Sequence, residues 1–260
     1  MTIETLEIES DKGPLKIQWS DINTLAIYGF LQSGRYGVED FSREDFIRED
    51  SLEVAQHKIY FKGWHQNCWE PRKKLGAYDL PNGAKILDIG CGLAVVDLLL
   101  YSYIPNSQFF LLDNADIASA KDLEMDPNEI SYSKNHPFYH SWDPITDAIK
   151  TSNFDEKRFT LLEPEDKFPE DLDLIMSSFS WCFHYPKEVY WDKVVSSLKT
   201  GGKLYLDVRS LPDRDVIGEI NEGLKSKPVV SPIPKIKKII DYHPNNLDVT
   251  GYRCVWIKNA

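Results

Sequence analysis

Asp88, Gly90 and Gly92 stand at alternate positions between two apolar runs, and Asp113 follows 25 residues after Asp88. Glycines at this spacing let a chain turn sharply and leave backbone N–H groups uncovered by side chains. Where a strand hands over to a helix, such a turn lies at a helix N-terminus, which favours anionic groups. A carboxylate ending the next strand, at about this distance from a glycine loop, is suited to accept hydrogen bonds from both hydroxyls of a ribose. Further along, His184 can titrate near neutral pH and take a proton from a hydroxyl, and Arg209 can orient an anionic or hydroxyl-rich molecule.

The elements needed to position these residues are legible in order. Pro81-Asn82-Gly83 is a turn signal, and Lys85 to Ile89 reads as a short buried strand. The dense apolar run Leu93 to Tyr101 predicts a buried helix, and Ser107 to Asp113 a second strand ending in the acid. About 45 residues separate Asp113 from the next strand, more than one crossover helix requires. The spacing predicts a helix over Pro144 to Lys150 and an insertion over 117–142 that carries His136, Tyr139, His140 and Trp142. Long loops of this kind are usually functional or disordered, and the aromatic and histidine content here favours an ordered lid.

Strands are then expected at Arg158 to Leu162, followed by Glu163, and at Asp171 to Ser178. The loop Ser178 to Pro186 leaves the sheet where the strand order reverses, the place at which open α/β sheets bind ligands. An amphipathic helix from Tyr190 to Lys199 is stopped by Thr200-Gly201-Gly202, and Lys203 to Val208 gives the fifth strand. Val216 to Leu224 predicts a helix. Ile236 to Tyr242 and Gly251 to Lys258 predict a closing strand pair around Pro244-Asn245-Asn246.

Two nucleotide-type readings meet at the glycine loop. A dinucleotide fingerprint requires a third small residue, and that position falls on Val95, which disfavours a nicotinamide oxidoreductase. Asp88-x-Gly90-x-Gly92-x-Ala94 instead resembles motif I of the class I S-adenosylmethionine-dependent methyltransferases, D/E-x-G-x-G-x-G, with Ala94 at the third glycine. Asp171 to Ser178 resembles the same family's motif IV, with Leu172 in place of its aromatic residue, and the order helix, Leu198-Lys199-x-Gly201-Gly202, strand is a frequent family feature.

The resemblance covers residues 80–260. It implies a Rossmann-like α/β fold: a seven-stranded, mostly parallel sheet with an antiparallel C-terminal strand and helices on both faces. It also implies S-adenosyl-L-methionine as cofactor, held by Asp88, Gly90, Cys91 and Gly92 at the loop and the methionine end. Asp113 would sit on the ribose, Asn114 beside the adenine, Glu163 at the adenine edge and Ser178 at the end of the fourth strand.

Residues 1–79 precede this domain and are read as an N-terminal cap. A strand is expected at Leu15 to Trp19 and a helical pattern from Ser51. Tyr60, Phe61, Trp64 and Trp69 lie among Lys62, His65 and Gln66. They either line a substrate pocket or fasten the segment onto the sheet, since aromatics dominate ordinary packing too.

The chain has 260 residues, 42% hydrophobic residues and seven tryptophans, enough for a substantial core. A net charge of −11 without a clustered basic surface argues against nucleic acid as partner. Four dispersed cysteines and no run of eighteen apolar residues predict a cytoplasmic protein with reduced thiols and no membrane partner. The six histidines lack metal-ligand spacing, so no metal site is expected.

Aromatic and hydrogen-bonding residues suited to stacking on flat or carbohydrate faces, namely Trp64, His136, His140, Trp181 and Tyr185, are the expected substrate contacts. The reading is a methyltransferase acting on a small molecule, with O-methylation of a hydroxyl on a sugar or similar metabolite as the reaction, His184 as base and Arg209 as orienting group. A non-catalytic S-adenosylmethionine-binding regulatory module and a methyltransferase acting on a peptide or protein stand as alternatives.

Overall fold

A computed structural model describes residues 4–19, 69–92, 94–113, 142–178, 180–183, 186–211, 213–233 and 251–260. The centre is a seven-stranded sheet. Its strands are β3 (Lys85–Ile89), β4 (Gln108–Leu112), β5 (Phe159–Leu162), β6 (Leu172–Ser177), β7 (Leu198–Arg209), β8 (Val229–Pro232) and β9 (Gly251–Ile257), in the order β5-β4-β3-β6-β7-β9-β8. The pairs β3–β4, β3–β6, β4–β5 and β6–β7 are parallel, and β9 runs antiparallel between β7 and β8. The order reverses at β3, so the glycine turn leaves the sheet at the switch point of an open α/β fold.

Both faces of the sheet are covered, which is why consecutive residues Ile86 to Ile89 of β3 are all buried rather than every second one. On one face Ile86, Phe109, Leu111, Leu174 and Met176 pack with α2 (Val95–Tyr103) and α3 (Asp143–Thr151). On the other, Leu87, Ile89, Ile175, Leu204 and Leu206 pack with α4 (Trp191–Ser197) and α5 (Val216–Leu224). Among the described residues, no helix is long and apolar enough to cross a membrane.

The N-terminal segment adds a hairpin of β1 (Glu4–Ile8) and β2 (Leu15–Trp19), which packs its Ile8, Leu15 and Ile17 against the α2 and α3 side. A short helix, α1 (Glu70–Lys74), precedes the sheet, and Lys73 Nζ meets Asp11 Oδ1 of the hairpin at 2.5 Å. The Tyr103 hydroxyl at the end of α2 donates to the same carboxylate. Trp69 is fully buried between Tyr78, at a centroid distance of 4.7 Å, and Tyr103, at 5.5 Å. At this aromatic, the fastening reading applies.

The far half of the sheet differs from expectation at its helix end and at its edge. The helix expected to reach Lys199 ends at Ser197, because Leu198 already pairs with Leu172 of β6 and the chain is extended from there. Gly202 then passes so close to the carbonyls of Leu172 and Lys199 that a side chain would not fit. The outer partner of β9 among the described residues is Val229–Pro232, expected from the sequence as a connector. The expected strand 236–242 and its turn lie outside the described residues, as do the insertion from 117 to 141 and the helical pattern of 51–68.

Candidate functional site

Gly90, Cys91 and Gly92 form the turn between β3 and α2, folded back on the end of β4. The N–H groups of Gly90 and Cys91 both donate to the Leu112 carbonyl, at 2.7 and 3.2 Å, and Gly92 N–H donates to Asp113 Oδ2 at 2.8 Å. The N–H groups expected to be bare are therefore engaged, and the Asp113 carboxylate is held against the loop as its anchor. Ala94, at the third-glycine position, takes a left-handed backbone (φ 51°) as the residue preceding α2. That conformation costs a residue with a Cβ roughly 1–2 kcal/mol.

The remaining expected positions are distributed as follows. Cys91 is buried, and its thiol pKa is pushed well up, by burial first and by the acids Asp113, Asp88 and Asp97 after it. Ser178 follows β6, and its Oγ accepts a hydrogen bond from Arg72 Nη2. Glu163 follows β5, and its Oε1 accepts from the Trp142 indole N–H at 3.1 Å, tying the start of α3 to the end of the strand. Arg209 ends β7, with its backbone N–H on the Cys182 carbonyl.

Trp181, expected against the substrate, is fully buried in the core on the α4 and α5 side, and its indole N–H donates to the Lys187 carbonyl at 3.0 Å. Its contacts among the described residues are those of a core side chain. Trp64, Asn114, His136, His140, His184 and Tyr185 lie outside the described residues.

The structure also assembles a buried polar layer on the α2 side of the sheet. Asp88 of β3 is opposite Met176, which is opposite Tyr205 of β7; two residues on, Asp207 is opposite Arg253 of β9. Asp88, Asp207 and Arg253 are all buried, as is Asp97 on α2. Arg72 reaches in from α1, with its guanidinium 5.0 Å from the centre of the Tyr205 ring. The Tyr205 hydroxyl donates to Asp207 Oδ1 at 2.7 Å, and Arg253 Nε lies 3.5 Å from the same oxygen.

Removal from water sets the electrostatics here. Burial raises the Asp88 pKa to about 6 against the pull of Arg72, and raises that of Asp207 against Arg253 and Arg72. Asp97 is raised well above the ordinary carboxylate range, by burial first and then by the neighbouring Asp88 charge.

The sequence reading passed over Arg72, Asp97 and Asp207. Of these only Asp97 carried a legible signal, the one acid inside a largely apolar helix.

One buried acceptor at the turn fits a cationic amine. Asp88 Oδ1 is buried at the glycine turn with no hydrogen-bond partner among the described residues, a place for a donor of positive charge. The turn itself admits no side chain at Gly90, where a Cβ would run into Ser180.

No family model matches the chain, and no curated protein matches it. Solved structures with a similar chain path include precorrin-6y C5,15-methyltransferase from Geobacter metallireducens GS-15, 20% identical over 71% of this chain and 85% of that one, TM-score 0.43. M. jannaschii TYW2 in complex with AdoMet is 13% identical over 75% and 78%, TM-score 0.46. A SAM-dependent methyltransferase from Aquifex aeolicus is 11% identical over 75% and 93%, TM-score 0.43.

Proposed function

We propose that this chain is an S-adenosylmethionine-dependent methyltransferase that methylates a hydroxyl on a small molecule such as a sugar or sugar-like metabolite. The observation that carries the reading is the Asp88-Gly90-Gly92 turn at the sheet's switch point, braced by Asp113 and backed by the buried Asp88 carboxyl. Asp88, Gly90, Cys91 and Gly92 would hold the methionine end, and Asp113 and Asn114 the nucleoside. When bound, the cofactor supplies a methyl group already activated by its sulfonium charge, so the protein's task is largely positioning. His184 would take the acceptor's proton and Arg209 would orient the acceptor, with Trp64, His136, His140 and Tyr185 around it.

Calorimetric titration with S-adenosylhomocysteine and, separately, NAD tests the cofactor. Micromolar binding of the thioether alone is expected, and binding of NAD alone would overturn the reading. Transfer of labelled methyl to a panel of sugars and hydroxylated metabolites tests the reaction. His184→Ala should lower turnover by about 10²-fold or more, the contribution typical of a general base, with S-adenosylhomocysteine affinity unchanged. Normal turnover in that variant removes His184 from the mechanism.

A further inference from the structure

Asp97 is the one acid in the helix Val95–Tyr103, a segment that otherwise buries Val95, Val96, Leu98, Leu99, Leu100 and Tyr103. Its side chain is 0% exposed, and that of Asp88, on the strand before the turn, is 4%. The two carboxyl groups lie within side-chain interaction range of each other. As two carboxylates they would present only acceptors to each other, and neither Asp97 oxygen nor Asp88 Oδ1 finds a hydrogen-bond donor among the described residues. A single proton resolves this, because it converts one acceptor into a donor.

The surroundings decide where the proton resides. Asp88 feels the cationic Arg72 of α1, together with the carboxyl groups of Asp113 after β4 and Asp207 of β7. Asp97 feels Arg72 more weakly than it feels Asp88, and the Cys91 thiol beside both is held neutral by burial. Tyr205, which faces Arg72 from β7, is likewise kept neutral. Asp97 is therefore the proton holder and Asp88 the member that carries charge.

We infer that Asp97 is a positioning residue for the cofactor's amine, acting through Asp88: the protonated Asp97 carboxyl donates the hydrogen bond that fixes the Asp88 carboxylate beside the glycine turn. This rests on the cofactor reading above and adds a consequence that reading lacks. An ammonium group arriving at Asp88 favours its ionised form, so binding must expel a proton wherever Asp88 is partly protonated. With Asp88 near 6, affinity for an amine-bearing ligand should fall about tenfold between pH 7.5 and pH 5, with about half a proton released on binding at pH 6.

The test is calorimetry in buffers of different ionisation enthalpy, using S-adenosylhomocysteine, which carries the amine, and 5′-methylthioadenosine, which lacks it. The proteins are the wild type, Asp97→Asn and Asp97→Val. Proton release is expected with the first ligand and not the second. Asp97→Asn keeps a donor and should bind S-adenosylhomocysteine within about threefold of wild type, whereas Asp97→Val should bind it at least tenfold more weakly, with 5′-methylthioadenosine little changed. Binding of S-adenosylhomocysteine without proton release, or equal affinities in all three proteins, overturns the role of Asp97 and leaves the cofactor reading standing. If neither ligand binds folded wild-type protein, both fall. Should Asp97→Val not fold, the ligand contrast in wild type and Asp97→Asn decides alone.

Discussion

The Gly92 amide and the Asp113 carboxylate are hydrogen-bonded at 2.8 Å, so the acid ending β4 braces the glycine turn from within. In the cofactor reading one side chain then serves two ends, shaping the loop and meeting the ribose. Asp113→Ala should cost about 1–2 kcal/mol of stability through the lost charged hydrogen bond and lower S-adenosylhomocysteine affinity at least tenfold. Asp113→Asn retains a carbonyl acceptor for Gly92, and should recover most of the stability while staying weak in binding. Urea denaturation beside calorimetry separates the two effects. Full affinity in Asp113→Asn would assign this acid to loop architecture alone.

Gly90 and Ser180 are in contact where the turn after β3 meets the loop after β6. A Cβ at Gly90 would overlap Oγ and Cβ of Ser180, and the backbone there is left-handed, at φ 74°. Gly90→Ala therefore carries two penalties, a clash and a strained backbone. Removing the clash with Ser180→Gly in the same chain should restore part of the lost stability and not the rest. A positive coupling of about 1 kcal/mol or more in the double-mutant cycle is expected, and additive losses would mean that the two loops do not meet in solution.

The parts of the fold read correctly from the sequence are those set by local pattern. Lys85–Ile89 is bounded by a turn signal and carries Ile86, Leu87 and Ile89, and the helix Val216–Leu224 has its expected limits, with Asp215 accepting from Gly218 N–H ahead of it. Strand β8 was missed because Val229–Pro232 sits between prolines, which read as connector; as an edge strand it tolerates them. Nothing in Glu70–Lys74 separates Arg72 from its neighbours Lys73 and Lys74, yet Lys73 reaches the hairpin while Arg72 turns under the sheet's end. That difference is made by tertiary packing. The same holds for Trp181, an aromatic of the loop after β6 that packs into the core on the α4 and α5 side.

The buried layer around Arg72 should make stability depend on pH in a definite sense. Burial raises Asp88 to about 6, Asp97 and Asp207 rise with it, and Arg72 opposes the rise in each. For a carboxyl whose folded pKa exceeds its unfolded value, the stabilising contribution is complete below about pH 4 and is lost as pH climbs through the folded value. Above that point Asp88 carries charge, and Arg72 is the cation beside it. Arg72→Ala should thus cost about 3–5 kcal/mol at pH 8, the range for uncoupling a buried charge from its partner. At pH 5.5, with more protons in the cluster, the loss should be visibly smaller. Urea denaturation at the two pH values measures the difference. An equal loss at both would show that Arg72 contributes through its packing on Tyr205, and that its charge is not what stabilises Asp88, Asp97 and Asp207.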